Sequence, residues 1–450
     1  MSDILTLLQC LDPCITVTTV RQMSHIVVAM LTMTGRVTMA GIARWTEPGG
    51  SYRTVQRFYY SVLPWGVMFW LFFRQYVFKP DEVYLLAGDE SVVTKAGKKT
   101  YGLDRFFSSL YEKAVPGLAF FTLSLISVGE RQSYPLLVEQ RVRSEAEKAA
   151  AQAARKTKQD RKAAPTLKRP AGRPKGSKNK DKRQVELTPE LTFIQAMIQT
   201  LLGRVKGLLS LTYLVLDGHF GNNAALQMAR QCDLHLISKL RHDARLYFPY
   251  EGPYIGHGPH RIYGDQLNVK QLPVKYLKQI THDGEIQTCL YQMTLLHREF
   301  AQPLNVVVIV KTKLKTQAHV LLFSSDLALP FDLLIDYYQL RFQIEFNFRD
   351  AKQFWGLEDF MNTTPTAVTN AANLALFMVN IAYCLLRLFR PLHPHAGVLD
   401  LKAHFRGRRY VAETLKLLPE MPDPILLAQV FDTVAHLGCI HPVEPCLNSP

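Results

Sequence analysis

Residues 336–355 contain neither glycine nor proline, so nothing in the segment interrupts a helix. Read as one helix, it turns the spacing Tyr338-x2-Arg341-x3-Glu345-x6-Lys352 into geometry. At about 100° per residue the four side chains leave within a stripe about 60° wide. Asp336 and Asp350 fall on the opposite side. A stripe with one carboxylate, two cations and a phenol suits a metal-bound phosphodiester: the glutamate faces the metal, the Arg and Lys face phosphate oxygens. An Arg–Glu pair four residues apart also occurs on any solvated helix. Four residues at this spacing, with two suitably placed aspartates upstream, favour the chemical reading.

The bulk composition agrees with a soluble protein of several structural units. Of 450 residues, 48% are hydrophobic and 20% charged, too long a chain for one simple core. Formal charge is +15, which points to a polyanionic partner. The surplus is local, because residues 141–183 hold 16 Lys/Arg against 4 Asp/Glu. Seven scattered cysteines without a CxxC pair argue for reduced thiols in a cytoplasmic protein, against a disulfide framework or a zinc site. The first residues have Asp3 where a secretory signal would be basic. The apolar run 63–73 is cut short by Arg74. The run 367–388 is long enough to span a membrane, but Asn370, Asn373 and Asn380 share one helical face. It reads as a buried amphipathic helix, and no membrane partner is expected.

Residues 1–80 read as a helical DNA-binding domain, with helices over 20–33, 38–45 and 51–60. Ser51 is the expected N-cap of the last. Arg53 and Arg57 are i,i+4 neighbours there, as in helix-turn-helix readers of the major groove; a plain helical bundle with an Arg-bearing surface is the other reading. A strand over 82–88 is expected to end at Asp89, and another over 211–216 at Asp217. With a long strand over 117–128 and a helix over 191–208, these describe a mixed sheet flanked by helices. Its acidic residues would converge at one end of the sheet. Glu90 should face away from Asp89 across the strand.

The basic insertion, 141–190, is rich in Ala, Lys, Arg and Pro and is expected to be disordered on its own. Gly172-Arg173-Pro174 resembles the centre of an AT-hook, whose Arg enters a narrow A·T-rich minor groove. Arg169, Arg173, Lys175 and Lys178 are its candidate DNA contacts, and simple phosphate attraction explains the same residues. Residues 240–330, with alternating runs such as 288–296 and 304–311, read as a β-rich unit. Residues 396–450 form a tail with some helical character near 412–418.

At this point the chain resembles the DDE transposases of bacterial insertion sequences, in the cut-and-paste branch marked by a Tyr-x2-Arg-x3-Glu-x6-Lys helix. Leu-Leu-Ala-Gly-Asp89-Glu-Ser and Tyr-Leu-Val-Leu-Asp217-Gly-His-Phe match the settings of the family's two aspartates. The resemblance covers residues 80–395. It implies an α/β, ribonuclease-H-like catalytic core with a β-rich insertion and a helical N-terminal domain. The core would be split into 81–140, 191–239 and 331–395. Asp89, Asp217 and Glu345 would be both catalytic residues and ligands of Mg²⁺ or Mn²⁺, two ions per active site. Tyr338, Arg341 and Lys352 would contact DNA. The implied partners are double-stranded DNA, as terminal inverted repeats and target, and a second copy in a homodimeric synaptic complex to which 396–450 would contribute. Some relatives stack a flipped base on a Trp of the β insertion; here the tryptophans are Trp45, Trp65, Trp70 and Trp355, none of them in that unit. A ribonuclease-H-like nuclease and a non-catalytic DNA-binding descendant are the alternatives.

Overall fold

The computed structural model describes residues 2–47, 50–108, 112–149, 152–153, 181–254, 256, 258–314 and 316–441. The expected disorder around Arg169, Arg173, Lys175 and Lys178 lies outside them.

β1, Tyr84–Thr94, organises the molecule. Its side chains alternate between faces, and the alternation divides two cores. Tyr84 and Leu86 point into the larger core; Leu85 and Ala87 point into a smaller one with Leu334, Tyr337 and Leu340. The strand was expected to stop at Asp89, yet it continues to Thr94. Ser91 and Val93 keep the buried rhythm, and β1 stays paired to the next long strand through Thr94.

The other strands follow as β2 Asp104–Ser108, β3 Lys113–Ser127, β4 Gln132–Arg141, β5 Tyr213–Val215 and β6 His235–Lys239. After them come β7 Leu246–Pro249, β8 Tyr263–Gln266, β9 Leu277–Asp283, β10 Ile286–His297, β11 Leu304–Lys313 and β12 Thr316–Ser324. The central order is β4-β3-β1-β5-β6, with β4, β3 and β1 antiparallel and β1, β5 and β6 parallel. The parallel strands are reached through helices Pro189–Val205 and Asn223–Gln231. This is the ribonuclease-H-like mixed α/β core. The β-rich segment continues this core: β12 pairs with β6, so β12, β11, β10, β7 and β8 extend the same sheet.

Helix Pro365–Phe389 is the spine of the larger core. Its length and apolar composition would match a membrane span, but most of its surface is buried in protein. The three asparagines satisfy backbone groups across that core. Asn370 donates to Tyr59 O at 2.8 Å and Ser61 O at 2.7 Å while accepting from Trp65 Nε1 at 2.7 Å. Asn373 reaches Val138 O at 3.4 Å and Asn380 reaches Pro135 O at 2.9 Å. Each unmet group would cost about 1–3 kcal/mol, so these amides fix how the N-terminal helices and β4 meet the spine.

Those N-terminal helices are Ser2–Leu8, Val17–Thr32, Met39–Ala43, Tyr52–Tyr60 and Trp65–Tyr76. Ser51 caps the fourth by accepting from Thr54 N. The tail is more helical than its sequence suggests, with helices Val398–Leu415 and Pro424–Ala435. The first is held by tertiary contacts that local pattern does not reveal. Lys402 Nζ donates to Met30 O at 2.6 Å and Arg406 Nε to Thr32 O at 2.9 Å, so two cations cover the carbonyl end of helix Val17–Thr32. Burial pushes the Lys402 amine down to about 8, with Arg406 adding to the fall.

The segment 336–355 is two helices, Phe331–Leu340 and Gln343–Phe354, rather than one. Between them Phe342 N, Ile344 N and Glu345 N each bond the carbonyl three residues back. Arg341 and Phe342 keep right-handed helical torsions, so the turn is tightened and the helix direction survives. The second helix ends at Gly356, whose φ of +78° suits glycine; a Cβ there would meet Val37.

Candidate active site

Strand register brings the first two carboxylates together. β1 and β5 run parallel with Leu86 opposite Leu214 and Ala87 opposite Val215. Two residues further on, Asp89 and Asp217 leave neighbouring chains about 4.8 Å apart. Asp217 follows β5 and begins a turn in which its Oδ1 accepts from His219 N at 3.1 Å. Ser238 Oγ, from β6, donates to Asp217 O at 2.7 Å and fixes that backbone.

Glu345 sits in the first turn of helix Gln343–Phe354. It joins Asp89 through Arg341, whose Nη1 lies 3.2 Å from Asp89 Oδ2 and whose Nη2 lies 3.0 Å from Glu345 Oε1. The guanidinium side chain is 13% exposed. Burial works against its charge, but Asp89, Glu345 and Tyr338 raise it above its ordinary value. Burial pushes the Asp89 carboxyl up to about 6; Arg341 and the Glu90 amide pull it down, while Asp217 and Glu345 push it up. Asp89 thus feels both of the other carboxylates.

Tyr338 packs beside the smaller core. Burial raises its phenol, Arg341 opposes the rise, and Asp217 and Glu345 add to it. Lys352 is engaged elsewhere: its Nζ donates to Val92 O at 3.0 Å and lies 3.4 Å from Glu358. Val92 is three residues past Asp89, about 10 Å along the strand. The four-residue stripe therefore keeps one side of the fold, but Lys352 lies down the strand from the Arg341 bridge. Asp336 pairs with Arg131 and Asp350 with Arg349, away from the carboxylates.

The donor set, carboxylate oxygens only, fits Mg²⁺ or Mn²⁺ in chemistry. Among the described residues, however, no three such side chains are gathered closely enough to hold an ion. Asp89 and Glu345 already share a cation, the Arg341 guanidinium.

Sequence reasoning missed a second charged cluster. Glu90 does face away from Asp89, and there it feels the charges of Arg141, Glu190, Arg143 and His219. Arg141 Nη1 lies 2.7 Å from Glu190 Oε1, and His219 Nε2 is 3.6 Å from Glu190 Oε2. Glu190 raises the His219 imidazole above its ordinary value. Arg141 and Glu190 are the two ends of the basic insertion, which is rooted behind the first aspartate. Opposite charges at the two borders were the available signal. Past Lys352, a cleft of about 1060 Å³ is lined by Arg36, Lys95, Lys98 and Lys99 together with Glu358 and Asp359.

Arg53 and Arg57 are exposed on helix Tyr52–Tyr60. Neither guanidinium has a partner among the described residues. Arg169, Arg173, Lys175 and Lys178 lie outside those residues.

A search of proteins of curated function finds no match. The family model described as DDE superfamily endonuclease matches residues 10–294, a span that includes Asp89 and Asp217 and stops before Glu345. With most of its length matched and a ribonuclease-H-like sheet that carries Asp89 on β1 and delivers Asp217 just past its parallel neighbour β5, the chain belongs to the DDE superfamily endonucleases.

Proposed function

We propose that this chain is a transposase of the Tyr-Arg-Glu-Lys branch, which cuts the ends of an insertion sequence and joins them to target DNA. The observation that carries the reading is the Arg341 bridge between Asp89 and Glu345. It links the helix that the family match does not reach to the strand that it does. In this reading Asp89, Asp217 and Glu345 are the catalytic carboxylates, and hard oxygen donors of this kind suit Mg²⁺ or Mn²⁺. Two divalent ions would activate the attacking hydroxyl and neutralise the leaving oxygen.

The chain's own groups orient the substrate. Arg341 presents a planar fork suited to a phosphate, and Tyr338 walls the site beside it. Lys352, once released from Val92 and Glu358, supplies a point charge further along the same strand. Water opens the phosphodiester at the element end; the freed 3′-hydroxyl then attacks a target phosphodiester, displacing one of its ester oxygens. Arg53 and Arg57 on the N-terminal domain and the basic insertion add duplex contacts, and the 396–450 tail serves a homodimeric synapse.

A nuclease without strand transfer remains the competing reading, favoured by the family's own description. The deciding experiment uses purified full chain, Mg²⁺ or Mn²⁺, and DNA carrying the inverted repeats that flank the gene. Cleavage at the repeat ends followed by joining to a target supports the transposase. Cleavage with no joined product supports the nuclease.

A further inference from the structure

Arg341 stands where a small cation would. It touches both Asp89 and Glu345, at 3.2 and 3.0 Å, through its two terminal nitrogens. Its third nitrogen, Nε, is buried and has no hydrogen-bond partner among the described residues. The side chain is therefore bound but incompletely satisfied, and an additional acceptor would complete it. Its backbone lies in the tightened turn between two helices, where a change in a few torsions moves the guanidinium without unravelling either helix. A guanidinium fork also spaces two carboxylates more widely than an ion with ligands at about 2.0–2.6 Å. That spacing agrees with the absence, among the described residues, of three gathered ligands.

We propose that Arg341 is an exchangeable counter-ion of the catalytic carboxylates. It holds Asp89 and Glu345 until a divalent cation takes their oxygens, then turns its freed fork to a DNA phosphate. The idea rests on reading Asp89 and Glu345 as metal ligands. Metal and guanidinium compete for the same oxygens, whereas metal and phosphate favour one another, each by releasing Arg341. A purely structural arginine would do the reverse: its loss would leave the carboxylates unsupported and weaken the metal site.

The test measures Mn²⁺ binding to the full chain without DNA, by water-proton relaxation, with circular dichroism to check each variant's fold. Arg341→Gln should bind Mn²⁺ about 5-fold or more tightly than wild type. Arg341→Lys should fall between, since one ammonium makes a point contact rather than a fork; should the Gln form not fold, the Lys form carries the test in the same direction. Asp89→Asn should lose the ion. Equal or weaker binding by Arg341→Gln, with Asp89→Asn still losing the ion, overturns the exchange and leaves the metal site standing. If Asp89→Asn and Glu345→Gln both bind Mn²⁺ as wild type does, the metal-site reading fails first and the exchange falls with it.

Discussion

Arg141, the last residue of β4, is held 2.7 Å from Glu190, the second residue of helix Pro189–Val205. This pair closes the base of the 141–190 insertion against the sheet. Both roots also neighbour Glu90, one residue from Asp89. The insertion is therefore rooted on the sheet face opposite Asp89, one residue along β1 from it.

Removing residues 155–180 should leave the fold intact and weaken DNA binding. The excised stretch holds 11 Lys/Arg. The cut spares Lys182, whose carbonyl accepts from Asn223 at 2.8 Å. Because the base is pinned, shortening the chain between its two ends changes closure entropy only slightly. Log K against log salt should flatten by about 0.9 for each lost phosphate contact. Superimposable slopes for wild type and deletion would mean that the insertion does not touch DNA, and equal affinity for A·T-rich and G·C-rich duplexes would remove the minor-groove part of the reading.

Asp89→Asn, Asp217→Asn and Glu345→Gln should each abolish cleavage while leaving duplex binding nearly unchanged. Loss of an outer partner of a metal site costs about 10–100-fold, and loss of a ligand should cost more. Asp217 is the most discriminating of the three, because Arg341 does not bridge it. Asp217→Asn keeps the turn acceptor for His219 N, so the local backbone should survive. Strand cleavage at the wild-type rate by any one variant takes that residue out of the site.

Much of this site was legible because it depends on local periodicity. Strand alternation put Asp89 and Glu90 on opposite faces, and helical periodicity put Tyr338, Arg341 and Glu345 on one side. The three asparagines in 367–388 marked a buried helix for the same reason. Pairing between distant strands has no such signature. Leu86 meets Leu214 only because the intervening helices pack as they do. The bond from Arg341 to Asp89 likewise spans 252 residues, so the sequence suggested a phosphate partner where the fold supplies a carboxylate. The continuation of β1 past Asp89 was hidden because a strand-end aspartate is a common turn former.

Arg53→Ala combined with Arg57→Ala should weaken binding to element ends without affecting stability. Both side chains are exposed and bond nothing among the described residues, so the stability change should stay within about 0.5 kcal/mol. A base-reading arginine is worth about 1–3 kcal/mol of discrimination. The double variant should then bind its repeat and an unrelated duplex with similar affinity. A uniform loss on both duplexes would assign the two residues to phosphate, and no loss on either would return them to a plain solvated surface.

His404 gives the C-terminal helices an acid-sensitive contact. Its ring packs on Phe389 at 5.0 Å and near His436 at 6.5 Å, and its Nδ1 is buried without a partner among the described residues. Burial pushes the imidazole down to about 4, with Arg408, His436 and His393 adding to the fall and Asp432 opposing it. In the unfolded chain the same group takes its proton near 6.5. As pH falls from about 6.5 to 4, the unfolded state therefore binds a proton that the folded state refuses, and stability declines. The contribution is complete above about 6.5 and falls no further below about 4. His404→Gln removes this titration, so its melting temperature should drop less than wild type's between pH 6.5 and 4. His393, also lowered by burial, keeps some slope in the variant. Parallel melting curves for the two proteins across that window would show that His404 does not control the acid response of this helix pair.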